Sequence, residues 1–412
     1  LTRGGALAMV RRFPIAALSP GSQPVTRKKT VLVHHFVGQM PLAGIAWQAT
    51  QYLSALKRLG YDVWYVEDNG VNPYSPKENQ LVWDSTYNIA YVKDMMERLG
   101  LGDRWGYWDP VKEGAWAGVG RERMMQLYGE ADALINLCGS TKLRDEHMAC
   151  PVRILIDTDP GYEQIKLAQN DAYSTEFVDA HTHLFTYGQN IGSADCLIPA
   201  GTRPWMRTRP PVDLDLWPFD DRPAPAAYSS VATWQNKGKN VRWQGETYQW
   251  SKHTNFLKFL DMPKRSGRAF ELALITPDAS VNRQVEEAGW TVLDGAVQSE
   301  TMDSYGDFVR RSRGEFTVAK DIYVRTHSGW FSDRSVCYLA SGRPVVMQSA
   351  GFEKFVPVGE GLLSYADHDE AVAALDAIDG DYERHRKAAR RIAQEHFECS
   401  AVVKEILDTV GL

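Results

Sequence analysis

The stretch from Arg325 to Tyr365, RTHSGWFSDRSVCYLASGRPVVMQSAGFEKFVPVGEGLLSY, narrows the choice of fold more than any other. Its first part, SGWFSDRS, places small residues and a Ser/Asp pair just before VCYLA, an apolar run that stops at Ser341-Gly342. Caps ahead of an apolar run and glycine behind it write a short buried helix. PVVMQ follows, β-branched and apolar as a buried strand requires, and a Ser-Ala-Gly turn ends it. The first amides of the helix have no internal partner and carry partial positive charge. Gly329, Ser332 and Ser335 would let a phosphate or diphosphate approach them, and Arg334 and Lys320 add full charges. An ordinary cap beside a solvated arginine is written the same way, so the local pattern leaves both readings open.

The rest of the chain alternates strands and helices. TVLV, from Thr30 to Val33, reads as a strand entering His34-His35-Phe36 and a loop with Gly38 and Gly44. A helix from about Ala46 to Leu59 follows, then a strand from Asp62 to Val66. This opening predicts a parallel α/β layer. The first loop lacks G-x-G-x-x-G, although Glu67 stands where a ribose-binding acid could sit. Tyr87 to Leu99 reads as a helix, and Ala133 to Leu137, Val152 to Ile156 and Leu184 to Thr186 as strands. DRWGYWDPVKEGAWAG reads as a long loop, whose Trp105, Tyr107, Trp108 and Trp116 either pack it onto the core or line an acceptor site. The Pro-dense TRPWMRTRPPVDLDLWPFDDRPAPAAYSS is an interdomain connection. VATW, FELALI, WTVL and a strand within GEFTVAKDIYV belong to a second α/β unit, and amphipathic helices close the chain after Asp367.

With 412 residues the chain suffices for about two domains. Apolar content of 44% and charged content of 24% suit a soluble globular protein, and a net charge of −6 gives no reason to expect nucleic acid as the main partner. Five scattered cysteines without C-x-x-C spacing read as free thiols of a reducing compartment, so a cytoplasmic location is expected. No apolar run reaches the ~18 residues of a membrane helix, and PIAAL is too short for a signal sequence. The early residues read as a disordered basic lead, with Met9 as the expected start.

ASGRPVVMQSAGFEKFVPVGEGLLSY, followed by DHDEAVAALDAI and DYERHRKAARRIAQEHF, resembles the C-terminal half of GT-B fold glycosyltransferases. Gly329 and Cys337 stand where the large retaining branch of that fold carries paired Glu. The resemblance implies an α/β fold with two Rossmann-like domains facing across a cleft. The expected boundaries are a lead over 1–29, an acceptor domain over 30–212, a linker over 213–228, a nucleotide-sugar domain over 229–395, and a terminal helix over 396–412 returning to the first domain.

The resemblance also implies a hexosyltransferase-like activity that moves a sugar from a nucleoside diphosphate sugar, a UDP-sugar foremost, to a small or lipid-like hydroxyl acceptor. The base would lie near Thr276, Pro277, Leu293 and Asp294. The diphosphate would meet Ser332, Asp333, Arg334 and Ser335, with Lys237 and Lys320 adding charge. Sugar hydroxyls would reach Gln348, Ser349 and Gly351. No metal or other cofactor is expected, since helix dipole and cations can stabilise the leaving diphosphate. A group must take the acceptor's proton, and inverting members of the fold carry a histidine at the end of the first strand, where His35 is the choice. Asp157 and Asp159 are the other candidates for the base or for orienting the histidine. Alternatives on the same fold are a nucleotide-sugar 2-epimerase and a non-catalytic sugar or nucleotide binding protein.

Overall fold

The computed structural model describes residues 27–222, 225–235, 238–276 and 278–412. Most of the expected basic lead, including Met9, lies outside the described residues, as do Lys237 and Pro277.

Apolar β-branched runs buried on both faces form two largely parallel sheets, as expected for strands that helices cover from either side. The first sheet has the order Trp205–Arg207, His183–Thr186, Val152–Asp157, Ala133–Leu137, Thr30–His34, Asp62–Glu67, Trp105–Asp109, Ala115–Gly118. Only the last pairing is antiparallel. The second sheet is wholly parallel, ordered Thr291–Asp294, Phe270–Ile275, Tyr228–Thr233, Gly314–Thr317, Val345–Gln348, Leu362–Tyr365. The α/β class with two Rossmann-like domains is therefore realised.

One segment read as a loop is a pair of strands. DRWGYWDPVKEGAWAG folds into the Trp105–Asp109 and Ala115–Gly118 hairpin at the sheet edge, with Trp108 opposite Trp116. Aromatic content supplies the strand tendency, and Gly114, at φ +78, turns the chain between them. Val241–Trp243 and Glu246–Tyr248 form a second hairpin after the first strand of the second domain.

Each strand order reverses once. In the first sheet the chain leaves Thr30–His34 on one side and later returns to Ala133–Leu137 on the other; in the second the same happens between Tyr228–Thr233 and Gly314–Thr317. Such reversals splay the following loops apart and open a crevice at the carboxyl ends of the strands.

The domains are tied along a seam. The Asn190 amide donates to Ser328 O at 3.0 Å, Leu197 N–H donates to Thr326 O at 2.9 Å, and the Trp330 indole donates to Thr158 O at 3.0 Å. Beyond the second sheet, Val212 N–H donates to Phe397 O at 2.7 Å, and the helix Cys399–Thr409 packs on Ala43–Arg58 of the first domain. Buried Asp213 anchors that crossing through Arg58 at 2.6 Å. No helix among the described residues is long and apolar enough to cross a membrane.

Candidate active site in the interdomain cleft

The loops after all four strands that flank the two reversals meet in one cavity of about 580 Å³: Phe36 and Met40, Cys138, Lys239, and Lys320. The first loop is held from below by Glu67, whose carboxylate accepts the Gly38 amide at 2.6 Å, the Gln39 amide, and the Tyr65 hydroxyl at 2.7 Å. Burial pushes the Glu67 carboxyl up to about 7 in spite of these donors. Glu67 therefore shapes the loop, and is not free to bind a ribose.

Cations line the side of the second domain. Lys320 bridges the domains, 2.6 Å from Asp159, and lies 4.0 Å from the centre of the Trp250 ring. Burial alone would raise the Asp159 carboxyl, but Lys320 and the Tyr323 hydroxyl hold it below its usual range. Lys239 lies 5.2 Å from the Trp250 ring and Lys252 5.7 Å from the Trp330 ring. Neither has a carboxylate partner among the described residues. Burial and the neighbouring Arg334 push the Lys252 ammonium well below its ordinary range. A partly desolvated ammonium without a counter-charge is costly, and an anion in the cleft relieves that cost.

The helix Asp333–Ala340 points its start at the cavity, with Ser332 as its cap: the Ser332 hydroxyl accepts from the Arg334 amide at 3.3 Å. Asp333 reaches across to the first domain, accepting from Gln48 Nε2 at 2.9 Å and from the Tyr187 hydroxyl at 3.3 Å. Burial, opposed by the Gln48 bond and reinforced by the charge of Asp159, pushes the Asp333 carboxyl up to about 7. Gln48 Oε1 in turn accepts from His35 Nε2 at 3.0 Å and from the Cys138 thiol at 2.8 Å. A hydrogen-bonded chain thus runs from His35 through Gln48 to a carboxyl that titrates near neutrality.

Comparison by sequence finds no matching family model and no matching curated protein. Comparison by structure finds an α-glucosyltransferase solved in complex with UDP and a 13-mer DNA, aligned over 93% of this chain and 100% of its own with TM-score 0.54 and 12% identity. AviGT4, a glycosyltransferase involved in avilamycin A biosynthesis, aligns over 93% and 97% with TM-score 0.55 and 13% identity. HepE of Anabaena, solved with UDP and glucose, aligns over 93% and 99% with TM-score 0.52 and 10% identity. The chain has the GT-B fold.

Within the GT-B cleft the residues singled out from sequence part company. Ser332, Asp333, Arg334, Lys320 and Asp159 line the cavity. The Arg334 guanidinium, however, is turned onto its own sheet: it lies 2.5 Å from buried Glu315 and donates to Val231 O at 2.6 Å and to the Thr317 hydroxyl at 2.7 Å. His35 is fully buried beneath Phe36, its ring stacked on that side chain at 4.5 Å, and burial pushes it down to about 4. It stays neutral and meets the cleft through Gln48 and, at 3.5 Å, the Cys138 thiol. Asp157 is also set back, accepting from Gln164 at 2.7 Å and Thr186 at 2.9 Å, with burial raising its carboxyl to about 6.

Gly329, at φ +79, packs on the first domain, where a Cβ would lie 2.5 Å from Asn190 N. Gly351 packs against the same seam, at His327 O. Ser335 is buried one turn into its helix. Gln348 Oε1 accepts the Ala319 amide at 3.3 Å, and the Ser349 hydroxyl donates to Glu353. None of these five lines the cavity. Missed from sequence were Lys252, Lys239 and Gln48. Lys252 and Lys239 flank a hairpin that carries no motif, and Gln48 sits on a helix face read only for its apolar spacing.

Behind the first sheet, His34, Asp68 and His147 bring ligand atoms within 4.8 Å of one another, all buried. His147 Nδ1 accepts the Arg144 amide at 2.9 Å, so Nε2 carries the proton that it donates to Asp68 at 3.0 Å. Arg144 and Tyr128 also donate to the same carboxylate oxygen, at 2.6 and 2.7 Å. Both His147 nitrogens are thus engaged, and His147, Arg144 and Tyr128 brace the Asp68 carboxylate.

Proposed function

We propose that this protein transfers a sugar from a nucleoside diphosphate sugar, a UDP-sugar foremost, to a hydroxyl acceptor held in the interdomain cleft. The observation that carries the reading is the pair of cleft ammoniums, Lys252 and Lys239, that no carboxylate among the described residues contacts as a salt bridge, beside the start of the helix Asp333–Ala340. Backbone amides and lysines converging on one cavity suit a diphosphate leaving group, whose developing charge they stabilise without reorganisation. The reading includes independence of divalent metal, because these cations do the neutralising; turnover should survive EDTA.

Asp333 is the group placed to take the acceptor's proton. It lines the cavity, is oriented by Gln48 and Tyr187, and titrates near 7, where a general base works best. His35 acts in this scheme through Gln48, by fixing which way that amide points.

A thermal-shift series with UDP, GDP, dTDP and ADP tests the donor class, since a ligand bound only by the folded chain raises its melting point. UDP should give the largest shift, and UDP-glucose with a hydroxyl acceptor should release UDP. Absence of any nucleotide shift would remove the transferase reading. Isomerisation of UDP-GlcNAc without transfer would replace it with the 2-epimerase.

A further inference from the structure

A second cavity, of about 570 Å³, opens on the first domain beside Trp108 and Trp116. The strand Trp105–Asp109 divides its rings between two destinations. Trp105 and Tyr107 are buried in the core, whereas Trp108 and Trp116, opposite each other in the hairpin, stay half-buried and wall the cavity. Gly106 and Gly70 make room for these rings: a Cβ at Gly106 would meet the Trp116 ring at 3.2 Å, and one at Gly70 would meet Trp108 at 2.8 Å.

Among the described residues, no aromatic ring or cation stacks on either indole, and neither indole N–H has a hydrogen-bond partner. Arg144, on the cavity wall, is engaged by Asp68 and Glu146. Arg121 also lines the cavity, is exposed, and has no ion pair among the described residues. One hydrogen bond links its wall to the first cleft loop: Asn69 donates to Gln39 at 2.9 Å, and the next residue, Met40, lines the cleft.

We propose that this cavity is a carbohydrate subsite, taking a pyranose ring of the acceptor that carries a carboxylate or sulfate. The apolar face of a sugar ring fits an indole wall, and Arg121 supplies the charge for the acidic substituent. The word acceptor rests on the transferase reading; binding itself does not.

The test uses the full chain labelled with 5-fluorotryptophan and followed by fluorine NMR, with Trp108→Phe and Trp116→Phe assigning the two resonances. Methyl β-D-glucuronide should move both. Methyl β-D-glucoside should bind about tenfold more weakly, as should the glucuronide to Arg121→Ala, the loss of one charge-assisted contact. Arg121 is exposed, so this variant keeps its fold. Resonances that neither glycoside moves, or that UMP moves more than the glucuronide does, overturn the proposal. Equal glucuronide affinity in wild type and Arg121→Ala overturns its anionic part. The readout needs neither donor nor turnover, so a chain that ignores UDP can still bind the glycoside, and the two readings fail separately.

Discussion

Lys252→Met keeps the apolar stem of the side chain and removes an ammonium that faces the cleft without a carboxylate partner among the described residues. The magnitude follows from Coulomb's law. A unit charge about 4 Å from a diphosphate oxygen is worth about 4 kcal/mol at the effective dielectric of a protein surface. An open cleft admits solvent and salt, and halving the figure gives about 2 kcal/mol, or roughly 30-fold in UDP affinity. The pH dependence has a definite sign. In the empty site, burial and Arg334 hold the Lys252 ammonium well below its usual range. A bound diphosphate stabilises the charged form and raises it again, so binding takes up a proton and affinity falls as pH rises past the value of the empty site. Titration calorimetry of UDP in buffers of different ionisation enthalpy measures both effects. Uptake should appear in wild type and vanish in Lys252→Met. Unchanged affinity in the variant, together with no uptake in wild type, would refute the diphosphate assignment.

Asp333→Asn should lower kcat about 10²-fold or more, with UDP affinity little changed. Turnover of the wild type should rise with pH through about 7, as the Asp333 carboxyl ionises, and a profile flat across that range would exclude it as the base. Because its folded-state value lies above the 3.8 of an unfolded chain, Asp333 costs stability progressively as pH rises from there through about 7, so the Asn variant should resist denaturant better than wild type at pH 8. Glu67→Gln confronts the Gly38 and Gln39 amides with an amide NH₂ and should cost about 2 kcal/mol in urea unfolding while weakening UDP binding through the Phe36 to Met40 loop. Gly329→Ala combines a left-handed φ of +79 with a Cβ 2.5 Å from Asn190 N, and should cost at least about 2 kcal/mol by lowering the unfolding midpoint. A Gly329→Ala chain as stable as wild type, but blind to UDP, would return that glycine to the donor site.

Much of the fold class was legible because strand and helix signals are local. TVLV, FELALI and PVVMQ are apolar on both faces, and only a sheet covered on two sides buries both. Trp105 to Gly118 was misread because glycine and proline density resembles a loop, while cross-strand pairing, a non-local event, makes it a hairpin. The site was legible in place but not in person. Ser332, Asp333, Lys320 and Asp159 do face the cleft. His35 at a strand end carries no mark that says whether its ring rises above the loop or sinks beneath Phe36.

Residue order alone settled most of the strands and helices, and that a small-residue turn opens a helix at Asp333, since each depends on neighbours a few positions away. Charge assignments waited for three dimensions. Arg334 and Lys252 read alike as cations, yet Glu315 pairs with the first and no carboxylate among the described residues forms a salt bridge with the second. Asp159 and Asp333 read alike as acids, yet Lys320 draws the first down while burial draws the second up to about 7. Whether a side chain is a reagent or a brace is decided by desolvation and by partners brought from distant parts of the chain, and neither quantity is carried by the residue itself.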